Sequence, residues 1–282
     1  MAFKKLTGNR LKFAQGMAAG LIGAIVALAF FLPGWLERWE AKTWDWRVNT
    51  LAKPARTTDQ IRIIMLDQSS LDWGKDENAL SWPWPREVYG AVIDFCKRAG
   101  ARSVAFDVLY TEPSKYGVSD DQAFAGALRM MPSGGAVFLS RTTGGETSWP
   151  TFVPAPIFQM NGLDDWINKT GSQSYKHASF PVPKIAAAAK VLANVQMRPD
   201  ADSVYRRVTL LEVFDGKVMP SLGLGNYLAA NPQTKMSLEP GKLIIGEKEI
   251  PIDNNGQAIL NFRGPSGTHK AYSAAAVIQS AL

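Results

Sequence analysis

Cysteine is almost missing from this 282-residue chain: Cys96 stands alone, so no internal disulfide can form. Histidine is nearly as scarce, and His177 and His269 are too few for a histidine-based metal site. Several signatures of chemistry are also missing: no GxxxxGK[ST] phosphate loop, no GxSxG elbow, no HExxH and no CxxC. Strong charge is lacking too. The formal net charge is +6, but residues 1–13 carry four positive and no negative charges, which leaves +2 for the rest. That is a signal of topology rather than a nucleic-acid footprint. No fixed-period repeat or low-complexity run occurs. A chain of this size without disulfides must rely on its core, as exported bacterial proteins do. No cofactor and no metal are expected.

What the chain does have is one long uncharged run, Ala14–Leu32, after a start containing Lys4, Lys5, Arg10 and Lys12. As a helix its 19 residues reach about 28 Å, close to the roughly 30 Å hydrocarbon thickness of a bilayer. Leu21, Ile22, Ile25, Val26, Leu28, Phe30, Phe31 and Leu32 together favour insertion by roughly 2.4–4.8 kcal/mol. The basic start places the N-terminus in the cytoplasm by the positive-inside rule, and Trp35, Trp39, Trp44 and Trp46 read as an interfacial aromatic belt. A cleaved signal peptide ending at Ala27-Leu28-Ala29 is the competing reading, against which Phe30-Phe31-Leu32 continues the apolar run. Either way the rest is exported. The expected organisation is a cytoplasmic start (1–13), a transmembrane helix (14–33, punctuated by Pro33 and Gly34) and an extracytoplasmic domain (34–282) anchored to the bacterial inner membrane.

Trp35–Thr50 reads as a juxtamembrane helix. From Ile61 the pattern alternates: strand Ile61–Leu66, helix Arg86–Ala99 stopping at Gly100, strand Ser103–Tyr110, helix Ser119–Met130 with a Ser119/Gln122 capping box, and strand Ala136–Leu139. Strands separated by helices argue an α/β fold: a mixed, mostly parallel sheet flanked by helices, behind one N-terminal transmembrane helix. Residues 144–173 read as an extended loop. Lys184–Val191 is expected to be a helix, Val204–Phe214 and Lys217–Met219 a hairpin, and Pro220–Ala230 a helix with proline in its first turn. Leu243–Ile245 and Ile259–Phe262 are short strands, and Ser273–Leu282 reads as a helix just starting, as in a partial gene product.

The candidate ligand-binding residues are Asp67, Trp82, Trp84, Arg86 and Asp107. Asp67 and Asp107 end expected parallel strands, the edge where open α/β sheets bind ligands. In Trp82-Pro83-Trp84-Pro85-Arg86 the prolines hold two tryptophans extended and deliver Arg86 to a helix start. A cation is disfavoured there, so Arg86 is expected to pair with Asp67 or Asp107. The segment reads first as a lid on the sheet edge, and the same loop can also serve as an aromatic wall with a bidentate donor for a small anionic or ring-bearing ligand. Glu112, Asp120 and Asp121 come from the loop and helix after the second strand. They could join the other carboxylates around a hard cation, as in a membrane-anchored hydrolase, or simply complement a helix N-terminus. Cys96, on an apolar helix face, is a core residue.

Taken in order, several segments resemble one family. They are Trp44-Asp45-Trp46-Arg47, Ile63–Asp67 with Ser69-Ser70-Leu71, Trp82–Arg86, Ser103–Glu112, Pro199–Arg207, Pro220–Leu224, Asn261–Pro265 and Tyr272-Ser273. The family is the CHASE domain of the second type, the extracytoplasmic sensory module of bacterial membrane receptors. The resemblance implies a sensor with an unidentified small-molecule or envelope stimulus, expected as a homodimer. It implies a cytoplasmic output by an adenylate or guanylate cyclase or by a histidine or serine/threonine kinase, and no catalysis by this chain. One departure is Ser203, where the family usually has glycine.

Overall fold

The computed structural model describes residues 8–32, 35–158, 160–170 and 174–281. Lys4, Lys5, Pro33, Gly34 and Leu282 lie outside the described residues. The chain forms two compact units, Met1–Ile61 with Asn261–His269, and Arg62–Leu260 with Lys270–Leu282.

The first unit holds helix α1 (Asn9–Phe31) and helix α2 (Trp35–Leu51). Helix α1 begins before Ala14 because the Gly8 carbonyl accepts the amides of Leu11 and Lys12, a backbone choice independent of where the apolar run starts. Across Leu11–Phe31 the mean hydropathy is 1.9 and nothing is buried. It is the one helix among the described residues long and apolar enough to cross a membrane. In α2 the Lys42 ammonium lies 5.4 Å from the Trp39 ring and the Arg47 guanidinium 5.9 Å from the Trp44 ring.

The second unit, the head, begins with β1 (Arg62–Met65), α3 (Gln68–Asn78), α4 (Val88–Arg98), β2 (Val104–Phe106), α5 (Val118–Leu128) and β3 (Ser133–Ser140). Next come β4 (Met160–Asn161), α6 (Leu163–Thr170), β5 (Ser174–Tyr175), β6 (His177–Ser179), α7 (Pro183–Ala186) and β7 (Val191–Asn194). Then follow β8 (Arg207–Thr209), β9 (Leu211–Phe214), β10 (Lys217–Pro220), α8 (Leu222–Ala230), β11 (Met236–Glu239), β12 (Lys242–Ile245) and β13 (Lys248–Pro251). β14 (Gln257–Ile259), β15 (Lys270–Ser273) and α9 (Ala274–Gln279) complete the head.

The α/β expectation is borne out. β2, α5 and β3 make a βαβ unit whose strands pair in parallel, and β7 extends it in parallel on the other side of β3. β1 does not join that ladder: it pairs in parallel with β15, about 200 residues along the chain. The later strands form antiparallel hairpins, β9 with β10 and β11 with β12 and β13.

Local expectations shift where tertiary pairing intervenes. The alanine-rich stretch is a short helix followed by β7, because Val191–Asn194 sits beside β3, and a four-residue apolar run fits either state. Residues 204–214 divide at Leu210, whose amide bonds to the Gly256 carbonyl, so β8 pairs with β14 and β9 with β10. Pro220 ends β10 rather than opening α8, which starts behind Ser221. Helix α5 begins at Val118 after Gly117 (φ +98°), placing Ser119 inside the first turn, where it caps nothing.

The aromatic core of the head packs α4, α5 and α9 together. Tyr89, Val92, Ile93 and Cys96 form the buried face of α4, and Phe124, Leu128, Val277 and Ile278 meet it. Cys96 is buried there, as its face predicts, and burial pushes its thiol pKa up.

Candidate functional site

Asp67 follows β1 and caps α3. Its Oδ1 accepts the Ser70 amide at 2.9 Å and the hydroxyls of Ser70 and Ser69 at 2.6 and 2.9 Å. The bonds from Ser70 and Ser69 lower its carboxyl to about 2. Ser70 is fully buried. Its hydroxyl also meets Ser273 Oγ at 2.9 Å and accepts the Ala275 amide at 3.1 Å, tying α3 to the β15–α9 junction.

The Trp82–Arg86 segment divides between surface and core. Trp82, preceding a cis Pro83, is 55% exposed, whereas Trp84 is 3% exposed. Trp84 stacks on Tyr89 at 6.4 Å and meets Trp73 edge-on at 6.1 Å. Gly74 of α3 is what admits it: a Cβ there would stand 2.6 Å from Trp84 Cζ2.

Arg86 departs from expectation. Its guanidinium pairs with the Asp121 carboxylate and donates to the Glu112 carbonyl, with neither Asp67 nor Asp107 as partner. The guanidinium carbon lies 5.1 Å from the Tyr110 ring. Asp120 completes the arrangement by accepting the amides of Arg86 and Glu87, each at 2.8 Å, and the Ser114 hydroxyl. Two acids from the first turn of α5 therefore serve the start of α4: one takes its leading amides, the other its arginine. Burial acts to raise the Asp120 carboxyl pKa, but the Ser114 hydroxyl, the two amides and the Arg86 charge outweigh it and hold the pKa below the ordinary range. Burial also raises the Tyr89 hydroxyl to about 12.

Asp107 is exposed, with no hydrogen bond or ion pair to another described residue. The five candidates thus separate. Trp84 and Arg86 belong to one clasp joining α3, α4 and α5; Asp67 belongs to the serine network on α3; Trp82 and Asp107 are at the surface. The carboxylates do not gather, and among the described residues no three of His, Cys, Asp and Glu are placed to hold a metal ion.

A second polar cluster was not anticipated. Glu212 on β9 is 8% exposed, and its carboxylate accepts the Tyr175 hydroxyl at 2.6 Å and the Asn194 amide at 2.5 Å. Arg198 donates to the same Tyr175 hydroxyl, and the guanidinium carbons of Arg141 and Arg198 each lie 5.3 Å from the Tyr175 ring centre. Burial raises the Glu212 carboxyl pKa, against the opposing pull of the Tyr175 bond and the two arginines. Burial and the Glu212 bond raise Tyr175. The available signal was Glu212 itself, a charge inside the apolar run Leu210–Phe214, which calls for partners when buried.

The turn before β8 explains the departure at position 203. Asp202 and Asp200 hold the Arg206 guanidinium at 2.8 and 3.2 Å, and Ser203, directly after Asp202, adopts φ +66°. Left-handed backbone costs a non-glycine residue about 1–2 kcal/mol, and glycine returns part of that as chain entropy. Ser203→Gly is therefore expected to stabilise the head by about 0.5–1 kcal/mol in chemical denaturation, and a loss of stability would show that the serine is not strained.

Neither the curated proteins nor the solved structures contain a match to this chain. The family comparison does give a match: the model of the CHASE2 domain, a sensory domain typical of signalling receptors, covers residues 21–282, taking in the Asp67 network, the tryptophan clasp and the 199–207 turn. The chain belongs to the CHASE2 domain family.

Proposed function

We propose that this chain is the extracytoplasmic sensory part of a bacterial transmembrane receptor. Helix α1 anchors it in the inner membrane, the N-terminus is cytoplasmic and the head lies outside the cytoplasm. The receptor works as a homodimer and relays its stimulus to a cytoplasmic cyclase or kinase. The observation that carries this reading is CHASE2 membership joined to α1, an apolar helix with none of its span buried. Such a helix finds its stable environment in lipid, where its backbone groups are already paired internally.

Signalling is then a population shift: a ligand that prefers one arrangement of the head biases the anchor, and a coupling of about 1–3 kcal/mol gives a 5–150-fold change. Of the candidate ligand contacts, Trp82 and Asp107 are open to a ligand as they stand, whereas Arg86 would first have to give up Asp121. Asp107→Ala is therefore the cleaner substitution for testing that face.

Topology is tested by reporters fused after Thr50. Alkaline phosphatase is expected to be active there and a cytosol-dependent fluorescent protein dark. The reverse pattern would overturn the receptor reading.

A further inference from the structure

We propose that Arg141 and Arg198 form the binding site for a small anionic ligand bearing a carboxylate or phosphate group, at the carboxyl edge of β3 and β7. The two strands run parallel, and their last paired positions are Val137 and Asn194. Arg141 and Arg198 each lie four residues beyond that pair. The carboxyl edge of parallel strands is where open α/β sheets place their ligands.

Three properties make this a built site. Its floor is rigid and buried: Tyr175, Asn194 and Glu212 are 5%, 4% and 8% exposed and hydrogen-bonded to one another through the Glu212 carboxylate. Its rim is cationic and open, since Arg141 is exposed and Arg198 half-buried. Neither guanidinium is ion-paired with a carboxylate of the described residues, and Arg198 gives one N–H to Tyr175. Two positive charges therefore face one buried negative charge whose oxygens already have donors.

Both guanidinium carbons lie 5.3 Å from one ring centre, so at most twice that distance separates them, a gap that a small multivalent anion can span. Arginine suits that task because its planar fork gives two parallel N–H bonds to a carboxylate or phosphate. Gln196, on the segment leading from β7 to Arg198, keeps its amide oxygen buried without a partner. A half-turn of that amide offers a donor instead. Glu212 holds the arginines at the rim through Tyr175 without neutralising either by direct contact.

This inference gives the sensory reading a ligand class. Binding is read in solution, so its failure leaves the reporter experiment standing. The test uses the full chain in detergent, titrated with sodium phosphate and with sodium citrate at constant ionic strength against sodium chloride, by calorimetry and thermal unfolding.

At least one anion is expected to raise the melting temperature beyond the chloride control. Arg141→Ala and Arg198→Ala should each weaken its affinity about tenfold or more, the size of one lost charge-assisted interaction. Arg198→Lys keeps the charge and loses the fork, so a folded protein with weakened binding separates ligand contact from damage to Tyr175. Lys248→Ala, on exposed β13, is expected to bind as the wild type does. A response to phosphate alone assigns a phosphoryl ligand and to citrate alone a carboxylate. No response beyond chloride, or an equal response from both arginine-to-alanine variants, overturns the proposal.

Discussion

Replacing Arg86 with alanine is expected to destabilise the head by about 3–5 kcal/mol, the usual penalty for leaving a buried charge without its partner. The side chains of Arg86 and Asp121 are only 12% and 7% exposed, so water cannot replace the lost guanidinium. Asp120, 4% exposed beside it, would lose a favourable charge while still holding the amides of Arg86 and Glu87. Urea denaturation gives the measurement. The double variant Arg86→Ala/Asp121→Ala should recover part of the loss, since it removes the stranded carboxylate as well. A single variant within about 1 kcal/mol of wild type would show that the pair is effectively solvated. A receptor that falls silent on Arg86→Ala has therefore lost its clasp, which is different from losing a ligand contact.

The second large effect belongs to α1. Ile22→Arg is expected to release the chain from the membrane fraction. Arginine at mid-helix costs about 2.5–3.5 kcal/mol and the lost isoleucine about 0.3–0.6, against roughly 2.4–4.8 supplied by all the large apolar residues of the span. Ile22 is 62% exposed, so nothing in the first unit should suffer directly from the change. Carbonate extraction of membranes separates the outcomes, with Ile22→Leu as the control that stays bound. Retention of the arginine variant would mean that something other than the apolar span holds the chain.

How far the sequence reaches is best seen at three places. Helix α4 was legible because Val92, Cys96 and their neighbours repeat at helical spacing and Gly100, at φ +77°, stops the helix. Helix α3 was not: Gln68–Asn78 has few apolar residues and a glycine in its middle. Its stability comes from the Asp67 cap and from Trp84 settling on Gly74. Arg86 lay between. Its need for an acid followed from its position at a helix start, but the identity of that acid did not, because Asp121 is about 35 residues away and arrives only when α5 docks on α4.

The order of residues alone determined the long apolar helix, the alternation of strands and helices at the front of the head and the exclusion of an internal disulfide, because each can be read without knowing which distant segments meet. Only the tertiary structure decided that β1 belongs with β15, that Asp121 holds Arg86, and that Arg141, Tyr175, Arg198 and Glu212 stand together. Those partners are separated by tens to hundreds of residues. What joins them is burial, which makes an unpaired charge or strand edge costly and leaves the choice of partner to whichever elements the core brings side by side.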